Sequence, residues 1–251
     1  MFWIIPMAGK GLRTQSLGEF KPFIEIKGNK ILSWFLFSVK HLIKPNDEFV
    51  LITTQYFSHK FNFKNEVEIL FKLHGLPNQL HFVETQGTLA GTSLTVLQAE
   101  DLISVNQSVL VIYPDQFIDF ELPDDIKPGS GYLGLYLNLG NKSGFVEVNN
   151  GLITKFVEKQ NISNTASTGL YLLSSGKDLI KAIKKQINSG ETLNGEYYVG
   201  PSFNYLIEDD YHIFPLPVLA KYVLGDVESI KLFEKRNLTV TDLPHKCKPD
   251  F

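Results

Sequence analysis

Cysteine is all but missing from this chain: Cys247 is the only one in 251 residues. That excludes a disulfide framework and a cysteine-based metal cluster, and it suits a reducing compartment. Cys247 itself lies in the polar stretch His245-Lys246-Cys247-Lys248-Pro249, where it reads as a bystander. Long apolar runs are missing too. No window approaches the roughly 18 uninterrupted apolar residues of a membrane span, so none is expected. The opening residues form an apolar strand without a basic leader segment, so they do not read as a signal peptide, and a cytoplasmic location is expected. An excess of charge of one sign is also lacking: 24 Lys and Arg against 27 Asp and Glu leave a net charge of −3. With no long basic run, nucleic acid is not expected as the main partner. Internal repeats and low-complexity segments are also lacking. Asn237-Leu238-Thr239 matches a glycosylation sequon, an accidental match in a chain without a secretory signal.

What is present describes a folded domain with one large core: 43% hydrophobic and 20% charged residues. Strand-like and helical runs alternate through the first half. After the strand at residues 2–5, residues 31–43 read as a helix with Leu32, Phe35, Leu36, Val39, Leu42 and Ile43 on its apolar face. Strands follow at 49–53 and 80–84, a helix at 93–103 with Leu94, Leu97 and Leu102 inward, and another buried strand at 109–113. Apolar strands joined by helices predict a mainly parallel sheet covered on both faces, with ligands at the carboxyl ends of the strands. Beyond about residue 128 the pattern turns β-rich, with strands at 131–137, 144–148, 152–157 and 168–173, and a hairpin turn at Asn149-Asn150-Gly151. Helices are predicted at 177–187, about 197–207 and 226–235.

The segment Met7-Ala8-Gly9-Lys10-Gly11-Leu12-Arg13 follows the first strand, and Lys21-Pro22-Phe23-Ile24 follows eight residues after Arg13. The two glycines let successive N–H groups turn inward onto an anion, and Arg13 and Lys21 supply positive charge. An ordinary strand-to-helix turn with incidental basic residues is the plainer alternative. The spacing is neither the dinucleotide fingerprint nor the P-loop, since Gly18 is the next glycine and no Gly-Lys-Ser/Thr ending follows. A carboxylate, Asp115, comes directly after the buried strand at 109–113, where it would either hold a divalent cation or cap a turn.

The order Ala-Gly-x-Gly-x-Arg, short polar loop, Lys-Pro and strand resembles the signature of the nucleotidyltransferases that make nucleoside-diphosphate sugars from an NTP and a sugar 1-phosphate. Matching segments recur in order from residue 3 to about 234. The resemblance implies a Rossmann-like, GT-A-like α/β fold: a mixed, mainly parallel sheet flanked by helices, with an inserted β-rich sugar-binding portion. It implies one domain over 1–236, with a nucleotide-binding half at about 1–128, a sugar-phosphate-binding half at about 129–236, and a tail at 237–251. Arg13 and Lys21 are then the catalytic cations, and Ala8, Gly9 and Gly11 hold the triphosphate. Glu84-Thr85-Gln86-Gly87-Thr88 resembles the family's base-contacting segment, so Gln86, Gly87 and Thr88 are expected against the nucleobase and ribose. Glu158-Lys159, with Gly144, Thr168, Gly169 and Tyr171, is expected around the sugar phosphate. Asn194-Gly195-Glu196-Tyr197-Tyr198-Val199 also fits, near the acceptor.

Mg²⁺ is the implied cofactor, with Asp115 its principal ligand. The family's second metal carboxylate lies two residues before a glycine, a place that Val223 fills here. Asp226 either substitutes for it or caps the last helix. Asp119 reads as a solvated loop residue. The resemblance departs from the family at Met7-Ala8 and at Leu12, where Ser or Thr is commoner. The expected reaction is Mg-dependent joining of an NTP and a sugar 1-phosphate, or a similar phosphorylated small molecule, with release of pyrophosphate, in nucleotide-sugar and polysaccharide biosynthesis. A homo-oligomer is compatible with it. Two alternatives stay open: a catalytically silent nucleotide-binding subunit, and a GT-A-type glycosyltransferase that uses a preformed nucleotide sugar.

Overall fold

A computed structural model describes residues 1–236 except 105, 106, 139, 141 and 142. Cys247, the sequon and the tail 237–251 lie outside the described residues.

The chain opens with β1 (Phe2–Pro6), the small β2 (Glu25–Ile26) and β3 (Asn29–Lys30) ribbon, and α1 (Ile31–Val39). Then come β4 (Glu48–Thr54), α2 (Gln55–Lys60), α3 (Phe63–Leu73), β5 (Gln79–Thr85), α4 (Thr92–Leu97), β6 (Val109–Ile112) and β7 (Gln116–Phe120). The β-rich part holds β8 (Ser130–Leu137), β9 (Gly144–Asn149), β10 (Leu152–Glu158) and β11 (Thr165–Leu173). It is followed by α5 (Gly176–Ser189), α6 (Val199–Glu208), β12 (His212–Val223) and α7 (Val227–Glu234).

The main sheet runs β5-β4-β1-β6-β11-β8-β12-β7, with the β9-β10 hairpin attached through β11. The strands β5, β4, β1 and β6 pair in parallel, whereas β11 runs antiparallel to both β6 and β8. The mixed, mainly parallel sheet flanked by helices is thus the expected α/β architecture. Alternation along β1 divides the core. Phe2 and Ile4 join the layer under α4, α5 and α6, while Trp3 and Ile5 join the layer under α1 and α3. A third cluster, built on Trp34, Phe117, Leu224 and Phe233, seats α7.

Several sequence expectations change. The helices at 31–43 and 93–103 both shorten to a regular turn sequence followed by a 3-10 turn, and Leu102 is exposed rather than inward. Helices α2 and α3 and strands β7 and β12 were not expected. Asp119 is not a solvated loop residue: it lies on β7 with 2% exposure, opposite Ala220 of β12. Phe117, Ile118 and Phe120 bury that strand, and the carboxylate goes with them.

A buried amide ties the helical layer to the loops above it. Gln186 of α5 is 1% exposed; its Oε1 accepts from Ser93 Oγ at 3.0 Å, and its Nε2 donates to the Tyr198 carbonyl at 3.0 Å. Gln186→Leu keeps the volume and orphans both partners. It is expected to cost about 1–3 kcal/mol, seen as a lower urea midpoint at unchanged slope.

Candidate active site

The phosphate-loop candidates stand at the carboxyl end of β1. Gly11 adopts the left-handed conformation at φ 62° and starts the 3-10 turn Leu12–Thr14, which leaves Arg13 exposed. Thr14, fully buried, anchors the turn by donating from Oγ1 to the Gly11 carbonyl at 3.0 Å. Gly9 is exposed and Ala8 buried. Lys21 opens the next 3-10 turn, where Phe20 and Pro22 on either side are buried. Phe20 packs against Phe23, Phe57, Phe61 and Phe63 with ring centroids 4.9, 4.8, 5.4 and 5.8 Å away. That aromatic plug fixes the backbone from which Lys21 reaches into the cleft.

Lys21 Nζ donates to Asp115 Oδ2 at 2.9 Å, closing an ion pair between residues far apart in sequence. Asp115 follows β6, and its carbonyl accepts from Leu224 N at 2.8 Å, so the end of β12 lies beside it. Gly225 leaves room there: a Cβ at that position would sit 2.8 Å from Asp115 Oδ2 and push the carboxylate aside. Burial alone would raise the Asp115 carboxyl, but Lys21, with Arg13 and Lys221 beyond it, holds it below the ordinary carboxylate range. Asp115 is therefore ionised in a half-buried, strongly positive setting. It suits a hard divalent cation held by one protein carboxylate and the oxygens of a bound phosphate, which is how Mg²⁺ is commonly bound. An all-protein cage is a poor fit, since no group of three potential ligands occurs among the described residues. Asp226 takes the capping role: Oδ1 accepts from Ser229 N at 2.9 Å and Oδ2 from Ser229 Oγ at 3.0 Å.

Gln86, Gly87 and Thr88 form an exposed loop after β5. Thr85 steadies it, donating from Oγ1 to the Gly87 carbonyl at 2.7 Å. Further along, Tyr197 N donates to the Ala90 carbonyl and Ser93 N to the Tyr197 carbonyl, both at 2.9 Å. The base-side loop and the segment before α6 are therefore stitched together.

On the acceptor side, Glu158 ends β10 opposite Gly144 of β9. A side chain on Gly144 would collide with Phe156 and approach Glu158 Oε2 to 2.9 Å. Lys159, exposed and at φ 52°, lies over the Tyr198 ring at 4.4 Å and donates to its hydroxyl at 2.6 Å. Thr168 and Gly169 lie where the β11–β8 register shifts, a bulge beside the cleft. The Thr168 hydroxyl donates to the Gly134 carbonyl at 3.1 Å, which pins that bulge to β8. The Gly169 carbonyl accepts from Tyr113 N at 3.2 Å. Tyr171 is buried, its ring 5.9 Å from that of Tyr113. Burial raises the hydroxyls of Tyr113, Tyr171 and Tyr198, and the Glu158 charge adds to each. Burial likewise pushes the Glu158 carboxyl up to about 7, with Lys159 pulling the other way.

Arg13 acts electrostatically on both Asp115 and Tyr198, and Glu158 also acts on Tyr198. Arg13 therefore stands within electrostatic range of Asp115 on one side and of Tyr198, beside Lys159, on the other. Three members escaped sequence reasoning. Tyr113 precedes Pro114-Asp115 and was counted only as strand. Tyr198 was noted only as part of its segment. Lys221 lies on the unforeseen β12; burial lowers its ammonium to about 8, and Asp115 opposes that shift.

The same fold occurs in solved structures. The nucleoside-diphosphate-sugar pyrophosphorylase from Vibrio cholerae RC9 superposes with a TM-score of 0.78 over 93% of this chain and 100% of that one, at 21% identity. A UDP-glucose pyrophosphorylase complexed with UDP-glucose gives 0.68 over 94% and 99%, at 17% identity. The CTP:phosphocholine cytidylyltransferase from Streptococcus pneumoniae gives 0.68 over 93% and 97%, at 13% identity. No protein-family model matches the sequence, and no curated protein does. The chain has a sugar-phosphate nucleotidyltransferase-like fold. Among the described residues no helix is long and apolar enough to cross a membrane.

Glu158 yields a stability prediction. Its carboxyl binds a proton more tightly in the folded chain, at about 7, than at the ordinary 4.5. Between those values the unfolded chain releases its proton first, so this stabilising contribution, complete below about pH 4.5, is lost as pH rises through about 7. Glu158→Gln removes the dependence. Urea midpoints should show the variant gaining on the wild type as pH is raised from about 4 to about 8.

Proposed function

We propose that the chain is a nucleotidyltransferase that joins an NTP to a sugar 1-phosphate, or a similar phosphorylated small molecule, and releases pyrophosphate. The observation that carries this is the meeting of Arg13, Lys21 and Asp115 at the strand ends, opposite Glu158 and Lys159. The fold supports it, shared as it is with pyrophosphorylases and a cytidylyltransferase.

In this reading an oxygen of the acceptor phosphate attacks the α-phosphorus of the NTP. The new P–O bond forms as the bond to the bridging oxygen breaks, and pyrophosphate departs with that electron pair. No protein nucleophile is needed, because positioning and charge neutralisation lower the barrier. Arg13 and Lys21 hold the triphosphate, and the Gly9–Gly11 backbone lies along it. Asp115 would hold a Mg²⁺, which when bound neutralises charge on the α-phosphate and the leaving pyrophosphate. Gln86, Gly87 and Thr88 lie against the base, while Glu158 and Lys159 orient the acceptor, Lys159 after leaving the Tyr198 hydroxyl.

The test is a pyrophosphate-release screen of the four NTPs with Mg²⁺ against sugar 1-phosphates and other phosphorylated small molecules, phosphocholine among them. Turnover with at least one pair is expected; none with any pair overturns the proposal, and consumption of a preformed nucleotide sugar instead favours a glycosyltransferase. With the active pair, Arg13→Ala, Lys21→Met and Asp115→Asn should each lower kcat/KM by about 10²–10³-fold while the melting midpoint moves by only a few degrees. Full turnover in all three would show that the site is misassigned.

A further inference from the structure

Lys221 is a cation beside Asp115 that forms no ion pair among the described residues. It lies on β12 opposite Ile118 and two residues before Val223, so the two side chains share a face of the strand. Val223 Cγ1 and Asp115 Oδ2 flank the same point above Gly225, at 3.7 and 2.8 Å. The Lys221 ammonium rests over the Tyr136 ring, 4.4 Å from its centroid. That ring is itself fixed: its hydroxyl is 3.1 Å from Ser143 Oγ and accepts from Asn138 Nδ2 at 2.9 Å. Asp115 acts on Lys221 through space, but its Oδ2 already accepts from Lys21. Among the described residues Lys221 makes no hydrogen bond, and its three donors are unspent.

A partly buried ammonium with idle donors is costly unless something anionic completes it. The surroundings indicate what that is. Asp115 faces Lys21, Arg13 and Lys221, so this part of the cleft holds more fixed positive than negative charge before any metal ion is bound. A condensed phosphate, with charged oxygens on two linked phosphorus atoms, reaches further between cations held on three different elements than a single phosphate does. We propose that Lys221 is a binding residue for condensed phosphate, and that with Arg13 and Lys21 it gives the cleft an affinity for pyrophosphate that needs no divalent cation. As a step of catalysis this rests on the nucleotidyl-transfer reading, in which Lys221 would hold the departing pyrophosphate. As a binding site it stands independently.

The experiment is calorimetric titration of inorganic pyrophosphate into the full chain in excess EDTA. The wild type is expected to bind, K221M to bind about tenfold to a hundredfold more weakly, and K221R to stay within a few-fold of the wild type. K221Q, polar and uncharged, should follow K221M and covers the case in which K221M fails to fold. No binding by the wild type in EDTA, or unaltered binding by whichever neutral variant folds, overturns the proposal. The two readings fail separately. If the wild type binds pyrophosphate but turns over no NTP, and K221Q loses that affinity, this site stands and the enzyme reading falls. Turnover with normal pyrophosphate affinity in K221Q does the reverse.

Discussion

The ion pair between Lys21 and Asp115 is the contact on which the cleft is organised. It joins the turn after β1 to the turn after β6, and those strands lie side by side at the centre of the sheet. Because the strands are parallel, their carboxyl ends open on the same side. A loop cation and a strand-end carboxylate can then meet without any long excursion of the chain. The pair is half-buried, so its geometry depends on packing as much as on charge. The phenylalanine cluster beneath Lys21 holds one partner, and the bare backbone of Gly225 leaves room for the other. Solvated cations on a mobile loop would give the same net charge without a fixed place for it.

Around that pair the sheet changes character. Four parallel strands end at the phosphate side, and the antiparallel β11 then brings the later part of the chain alongside β6. Its bulge at Thr168–Gly169 lies directly beside Tyr113, and the β9–β10 hairpin hangs from its edge carrying Glu158 and Lys159. Glu158 and Lys159 therefore hang from the same sheet as the loop after β1. One continuous hydrogen-bonded framework sets the distance between these two groups of residues.

Much of this was legible in the residues. Runs such as Val109-Leu110-Val111-Ile112 can be little other than strands buried on both faces, and the order of Gly9, Gly11, Arg13, Lys21 and Asp115 pointed to one end of the sheet. What could not be seen has physical reasons. In β12, Pro215 and Pro217 argue against an internal strand, yet they lie where β12 has only β8 beside it; β7 joins from Val218 onward. With β12 hidden, Lys221 could not be placed in the cleft, and Asp119 on its partner strand looked solvated. Helix α3 is a different case. Phe63, Val67, Leu70 and Phe71 have helical spacing and are all buried, so the signal was present and passed over.

The backbone stitching between Ala90–Ser93 and Tyr197, reinforced by Gln186, has a kinetic meaning. Neither the loop after β5 nor the segment before α6 moves away without breaking hydrogen bonds to the other, worth about 1 kcal/mol apiece. The rim of the cleft thus behaves as a single door with two handles. A displacement of one segment is passed to the other through the same backbone hydrogen bonds.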